Sequence, residues 1–169
     1  MAAIKVNPTR MELKRLKGQL ATARRGHKLL KDKCDELMRR FLDAVREAKE
    51  LREKLSLTLG DVDGRFSIAA AQTDPRMMTA ALMLPAGGGE LSVGEENIMS
   101  VIVPRYDFSY DKGKSASPYG FAFTTSALDL ATDELTDVLP ELVHLAQLEK
   151  TSLLLCDEIE RTRRRVNAL

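Results

Sequence analysis

Few residues in this sequence are spaced for chemistry, and the strongest candidate is Gly113-Lys114-Ser115. These residues match the end of a P-loop, in which backbone amides and a lysine bind phosphate. A P-loop also needs a glycine five positions before Gly113, where this chain has Phe108. Because the surrounding DKGKSASPYG is typical of a turn, we expect no nucleotide site there.

Histidines and cysteines, the other common ligands and nucleophiles, are scattered. His27 and His144 are the only histidines, and neither has a second ligand within a helical turn, so a packing or boundary role is expected for both. Cys34 and Cys156 lie in apolar helical patterns, which predicts buried free thiols. With no G-x-S-x-G or H-E-x-x-H motif, we expect no catalytic residue, metal site or cofactor.

The composition favours an extended, helix-rich protein over a compact one. The 169 residues include no tryptophan, three tyrosines and five phenylalanines, which is lean for a globular core, and 30% are charged. No apolar run is long enough to cross a membrane, and the N-terminus lacks the apolar stretch of a secretory signal. We therefore expect a cytoplasmic protein without membrane insertion.

Charge is distributed unevenly behind a net charge of +1. Residues 1–31 carry nine Lys/Arg and one Glu, whereas residues 56–160 carry six bases and seventeen acids. A basic end could bind nucleic acid, but the aromatic residues that would stack on bases lie in the acidic middle. A protein-facing basic surface is favoured, and a coiled-coil tether or nucleic-acid-binding protein is the alternative function.

A heptad pattern runs through the first part of the chain and predicts one long coiled-coil helix over residues 1–58. Thr9 is the N-cap candidate, and a helix ending near Thr58 would be about 70–75 Å long. Gly60 and Gly64 should then end or bend it. The apolar seam comprises Leu13, Leu16, Leu20, Ala23, His27, Leu30, Cys34, Leu37, Phe41, Ala44, Ala48, Leu51 and Leu55.

Residues 59–125 change character and are predicted to form an inserted module. Short helices are expected over 65–84, where FSIAAAQ forms one piece and Asp74-Pro75 starts another. A β-hairpin is expected over about 90–125, with IMSVIV as an apolar run closed by Pro104 and DKGKSASPYG as turn material. Six aromatics there alternate with smaller or polar residues: Tyr106, Phe108, Tyr110, Tyr119, Phe121 and Phe123.

Residues 126–169 are predicted to form a second coiled-coil helix, with Thr125 and Ser126 as cap candidates. Pro140 requires this helix either to begin near it or to bend there. The step from Leu145 to Leu148 breaks the heptad spacing as a stammer. The seam comprises Leu135, Val138, Leu142, Leu145, Leu148, Ser152, Leu155, Ile159, Thr162, Val166 and Leu169.

Together these elements predict a mainly α fold, a long antiparallel two-helix coiled coil with a small β-hairpin and short-helix module at one end. A parallel homodimer of the first helix is the structural alternative, because each seam needs a partner.

Two stretches resemble the D subunit of rotary V-type and A-type ATPases: NPTRMELKRLKGQLATARRGHKLLKDKCDELMRRF and the final RTRRRVNAL. The resemblance implies a non-catalytic central-stalk shaft that couples ATP turnover to ion transport, peripheral to the membrane. It also implies several partners: the F subunit, a ring of catalytic A and noncatalytic B subunits, and the subunit that seats the stalk on the membrane ring.

Within that resemblance, the basic face of the first helix is expected to meet the ring, and the hairpin is expected to contact other stalk or ring parts. Cys34 stands where the family more often has a basic residue, and we expect it to pack. The chain stops at RVNAL, where family members continue, so the most basic part of the first seam should be partly unpaired, as in a truncated chain. The partner-binding candidates are Lys14, Arg15, Lys17, Arg24, Arg25 and Lys28.

Overall fold

The computed structural model describes residues 7–83, 88–111, 119 and 124–168. Three helices and two strands follow one another along the chain. They are α1 (Arg10–Gln72), α2 (Pro75–Leu82), β1 (Gly88–Ile98), β2 (Val101–Asp111) and α3 (Ser126–Ala168). With 63 residues, α1 is about 95 Å long.

Helices α1 and α3 pair antiparallel, as the seams predict. Ion pairs mark the direction: Lys33 Nζ lies 3.1 Å from Glu158 Oε1, whereas Arg65 Nε lies 2.7 Å from Glu134 Oε2 near the other end. Several seam side chains are buried between the two helices, and they account for the stability of a pair with so much exposed surface. These are Leu37, Leu55, Val138, Leu148, Leu155, Ile159 and Thr162.

The predicted end of the first helix near Thr58 is wrong, because α1 continues through Gly60 and Gly64 to Gln72. The heptad seam continues past the glycines: Val62 is 3% exposed and Ala69 is fully buried. Packing of this seam offsets the cost of about 1 kcal/mol that each helical glycine carries. FSIAAAQ is therefore the last part of α1 and not a separate helix.

The break after α1 lies at Thr73, whose extended backbone (φ −119°, ψ 142°) precedes α2. Asp74 caps α2 as predicted, since its Oδ1 accepts a hydrogen bond of 2.8 Å from the backbone N–H of Arg76. Pro75 follows at the first helical position, where a backbone N–H would have no acceptor within the helix, so proline removes no hydrogen bond.

Strands β1 and β2 form a two-stranded antiparallel sheet. The two-residue turn Met99-Ser100 joins them, so IMSVIV contains the hairpin turn and is not one strand. Met99 (φ 51°) and Ser100 (φ 74°) both have positive φ, the conformation of a type I′ turn. Asn97 Oδ1 accepts a hydrogen bond of 2.8 Å from the Ser100 N–H, which holds this turn without the usual glycine.

The aromatic alternation is confirmed on β2, which contains Tyr106, Phe108 and Tyr110. Tyr119 lies outside the strands and donates a hydrogen bond of 2.8 Å to Asp129 Oδ1 at the start of α3. The predicted turn DKGKSASPYG, apart from Asp111 and Tyr119, lies outside the described residues, as do Phe121 and Phe123.

The hairpin lies along the coiled coil instead of projecting from its end. The Tyr106 N–H donates a hydrogen bond of 2.9 Å to Gln147 Oε1 on α3, and Val101 at the hairpin tip packs with Leu155 and Ile159. From Gln147 to Ile159 the helix rises about 18 Å, close to the roughly 17 Å from Tyr106 to Val101 along the strand. The main core cluster therefore lies where the hairpin tip meets both helices.

Helix α3 begins at Ser126, as predicted, so Pro140 lies inside it and not at its start. Proline has no N–H to donate to the carbonyl of Thr136, one turn earlier. A second core cluster of Ala69, Ala81 and Leu128 ties the start of α3 to α1 and α2. The grouping of these elements into three domains remains a prediction.

Candidate partner-binding surfaces

The first part of α1 has an apolar seam that is largely exposed. Leu13 and Leu20 are 53% and 51% exposed, whereas Leu37, on the same seam, is fully buried. Among the described residues, Lys33–Glu158 is the ion pair between α1 and α3 that lies nearest the start of α1. His27, a seam residue before that pair, is also exposed. The seam here is open to another protein.

All six basic partner-binding candidates are exposed on this same part of α1. Arg15 differs from the others because its Nε donates a hydrogen bond of 3.0 Å to Glu12 Oε2. This contact lowers the pKa of the Glu12 carboxyl and raises the pKa of the Arg15 guanidinium. The remaining five have no ion pair within the described part of the chain: Lys14, Lys17, Arg24, Arg25 and Lys28.

From Lys33 onward, the bases of α1 are paired with acidic side chains of the chain. Glu36 Oε1 accepts hydrogen bonds from Arg39 Nη2 at 2.6 Å and Arg40 Nε at 3.2 Å, and these contacts lower the pKa of its carboxyl. Arg46 and Asp43 form another such pair. The unpaired positive charge of α1 therefore lies in its first two dozen residues, where the seam is also open.

A second surface is a groove of about 580 Å³ between α1 and α3. Most of its lining is apolar, and yet it is open to solvent, since Leu153 on its wall is 65% exposed. Sequence reasoning missed this groove, because Val45 and Leu153 fall outside the heptad seam; surplus apolar residues beside the seam were the available signal. Its lining comprises Phe41, Val45, Ala48, Lys49, Arg52, Glu149, Ser152, Leu153 and Cys156.

The two cysteines differ from each other, and one prediction is wrong. Cys34 is partly buried against the core cluster around Leu37, in agreement with a packing role. Cys156 is an exposed free thiol, because it follows the seam residue Leu155 and lines the groove between α1 and α3.

No constellation of catalytic groups emerges among the described residues. Within them, no three His, Cys, Asp or Glu side chains lie close enough together to hold a metal ion. His144 Nε2 lies 3.1 Å from Glu47 Oε1 on the opposite helix, where both side chains are about half exposed. In the described part of the chain, no helix combines the length and apolar character needed to cross a membrane.

Sequence reasoning missed the second buried face of α3. Gln147 bonds β2, and Leu154, seven residues later, packs against the hairpin cluster. Thr151 between them is 8% exposed. These three positions are spaced four and three residues apart, as on one face of a helix. The face was not recognised as buried, because Gln147 and Thr151 are polar.

An elongated coiled coil with an open seam, an apolar groove and an attached hairpin defines a component of a larger assembly. Residues 12–169 match the family of ATP synthase D subunits, and this chain belongs to that family.

Several relatives carry the name of the D subunit of V-type ATP synthase. The chain is 54% identical over 171 residues to that of Acetivibrio thermocellus, an alignment that covers all of this chain and 77% of the relative. It is 49% identical to that of Clostridioides difficile, again over all of this chain and 77% of the relative. The protein of Enterococcus faecalis is also 49% identical, with coverage of 100% and 81%.

Proposed function

We propose that this chain is the central-stalk rotor shaft of a rotary V-type ATPase and transmits torque between the catalytic ring and the membrane ring. The observation that carries the proposal is a 63-residue helix in an antiparallel pair, in a chain of the D-subunit family. The shaft itself carries out no ATP chemistry, and as part of the complex it works at the cytoplasmic side, peripheral to the membrane.

Coupling follows from the asymmetry of one rod inside a ring of repeated subunits. Each orientation of the rod makes different contacts with the surrounding subunits, and a differential contact shifts the population of their conformations. Two helices locked along a shared seam resist bending better than one, since their side chains interdigitate over its length. Rotation at one end therefore changes nucleotide affinity at the other.

The open basic segment of α1 is proposed to face the ring of catalytic A and noncatalytic B subunits. Its unpaired bases attract acidic side chains or carbonyls at long range without fixing one register, which suits a rotating contact. The apolar groove around Leu153 is proposed to receive the small F subunit, and the opposite end of the rod to meet the subunit that seats the stalk on the membrane ring.

The test of the basic face is to replace Lys14, Lys17, Arg24, Arg25 and Lys28 with glutamine in the reconstituted complex. We expect weaker retention of the ring in size exclusion at physiological salt and a lower ATP hydrolysis rate, because attraction across the contact is lost. The far-UV circular dichroism of the isolated chain should be unchanged, since these side chains pair with nothing in the described chain.

A matched control replaces with glutamine four bases that follow the open segment and are paired within α1: Arg39, Arg40, Arg46 and Lys49. This variant should keep the ring. Wild-type ring binding and rotation in the five-base variant would contradict the proposal, and salt-sensitive retention on DNA without ring binding would favour the nucleic-acid-binding alternative.

The groove is tested with Leu153→Asp in co-expression with the F subunit. Burying a carboxylate in an apolar contact is costly, so we expect the F subunit to be lost while the ring contact is kept. Leu29→Asp is the control, because Leu29 is 70% exposed on α1 and outside the groove lining. Equal F-subunit recovery with both variants would place that contact elsewhere.

A further inference from the structure

Among the described residues, no strand pairs with the outer backbone edge of β1. In an antiparallel pair, alternate residue pairs exchange both backbone hydrogen bonds, and the pair that closes a two-residue turn is one of them. Ile98↔Val101 closes the turn here, so every second residue of β1 counted from Ile98 bonds β2. The residues between point their N–H and C=O groups away from β2: Gly89, Leu91, Val93, Glu95 and Asn97.

The same rule explains the outer edge of β2, which faces α3. Its outward positions include Pro104, which has no N–H to leave unpaired, and Tyr106, whose N–H is bonded to Gln147 Oε1. No side chain in the described part of the chain bonds the outer edge of β1 in this way. Within the described residues, the backbone hydrogen bonds of β1 all go to β2.

The side chains of β1 divide into two faces of different chemistry. Leu91 and Val93 are 52% and 63% exposed on one face, opposite Phe108 and Tyr106 of β2. Glu90 and Glu96 lie on the other face, and both are exposed. The strand contains no lysine or arginine, and of its three glutamates only Glu95 shares the face of Leu91 and Val93, so one face is mainly apolar and the other is acidic.

This charge decides which occupant fits the edge. If two copies of β1 paired antiparallel about Val93, Glu90 of each copy would lie opposite Glu96 of the other, and directly opposed like charges destabilise a sheet. A strand with lysine or arginine at those positions would gain from the same glutamates. The glutamates therefore disfavour pairing of two β1 edges and favour pairing with a basic strand.

We propose that the β1 edge accepts an extended segment of a partner protein, with alternating apolar and basic residues, as the third strand of this sheet. The added strand forms backbone hydrogen bonds with Leu91, Val93 and Glu95. Its apolar residues extend the face of Leu91 and Val93, and its basic residues lie beside Glu90 and Glu96. This surface is independent of the proposed rotor function.

The test is amide hydrogen exchange, resolved by NMR, on the whole chain with two synthetic peptides. One alternates valine and lysine, and its control alternates valine and glutamate. At a peptide concentration about ten times its Kd, we expect exchange of the outward amides of Leu91, Val93 and Glu95 to slow about tenfold with the lysine peptide. The glutamate peptide should leave these rates unchanged.

Val93→Pro is the sharpest variant, because it deletes an outward N–H and leaves the bonds to β2, as Pro104 already does on the other strand. It should abolish the protection of Leu91 and Glu95, and Val93→Thr, which keeps the N–H, should retain it. Should Val93→Pro also perturb the Val103 amide, the hairpin itself has changed. The pair Glu90→Lys and Glu96→Lys then decides, because it should transfer the protection to the glutamate peptide.

Three results would overturn the proposal. They are equal protection by both peptides, unchanged lysine-peptide binding in Val93→Pro with an intact hairpin, and protection that maps to α1 or α3 instead of β1. Dimerisation of the free chain with protection of the β1 amides would show that a second copy is the occupant.

Discussion

Leu155→Ala tests the claim that the hairpin tip and both long helices share one core. Leu155 is fully buried and packs with Leu37, Val101, Val103 and Ile159. The substitution removes three carbon atoms, worth about 2.5 kcal/mol of transfer free energy at about 0.8 kcal/mol each, and leaves a cavity that adds to this cost. We expect the free energy of unfolding to fall by about 3–4 kcal/mol, measured by urea denaturation followed by circular dichroism.

The matched control is Leu153→Ala, the same chemical change two residues earlier on the same helix. Because Leu153 is 65% exposed, about a third of the transfer term applies, and a cost below about 1 kcal/mol is expected. Amide exchange at Val101 and Val103 should also accelerate in Leu155→Ala but not in the control. Equal destabilisation by the two variants, or an unchanged hairpin in Leu155→Ala, would refute a shared core.

Two further predictions concern α1. Gly60→Ala and Gly64→Ala should each raise the free energy of unfolding by about 0.5–1 kcal/mol, because an added Cβ meets nothing within 4 Å and alanine favours the helix; urea denaturation that shows a loss would contradict this. The Glu12 pKa should lie below its ordinary 4.5, since Arg15 bonds the ionised carboxyl. Its contribution to helix stability is then present above that value and lost as pH falls through the lower folded-state pKa. In an NMR titration, Arg15→Gln should raise the Glu12 pKa toward the ordinary value, and no change would refute the pairing.

Local rules predicted the parts of the fold that depend on local chemistry. Thr9 accepts a hydrogen bond from the Glu12 N–H and begins α1, and Asp74 with Pro75 begins α2. The antiparallel pairing of the two long helices also followed, because two seams of similar period have few other ways to be buried. Glycine was the misleading local signal, since at Gly60 and Gly64 seam packing outweighs a penalty of about 1 kcal/mol each.

The surfaces were predictable to different degrees. The bases from Lys14 to Lys28 are exposed, as their positions outside the seam require. On a helix, a base pairs with acids three or four residues away. The ion pair between Arg15 and Glu12 could therefore have been predicted from the sequence. The groove was not predictable, because Val45 and Leu153 are more than a hundred residues apart in the chain and line it together only through the pairing of the two helices.

The sequence by itself determined the two seams, the charge separation, the helix caps and the family, because these depend on residue type and spacing along the chain. Only the tertiary structure decided where the hairpin lies. Leu155 serves the α1 seam and the hairpin tip together, and Gln147 bonds a strand that begins more than forty residues earlier. Periodicity assigns a residue to a face, but which element covers that face depends on the whole fold. Because β2 is the strand that meets α3, the edge of β1 is the one that we propose receives a strand of another protein.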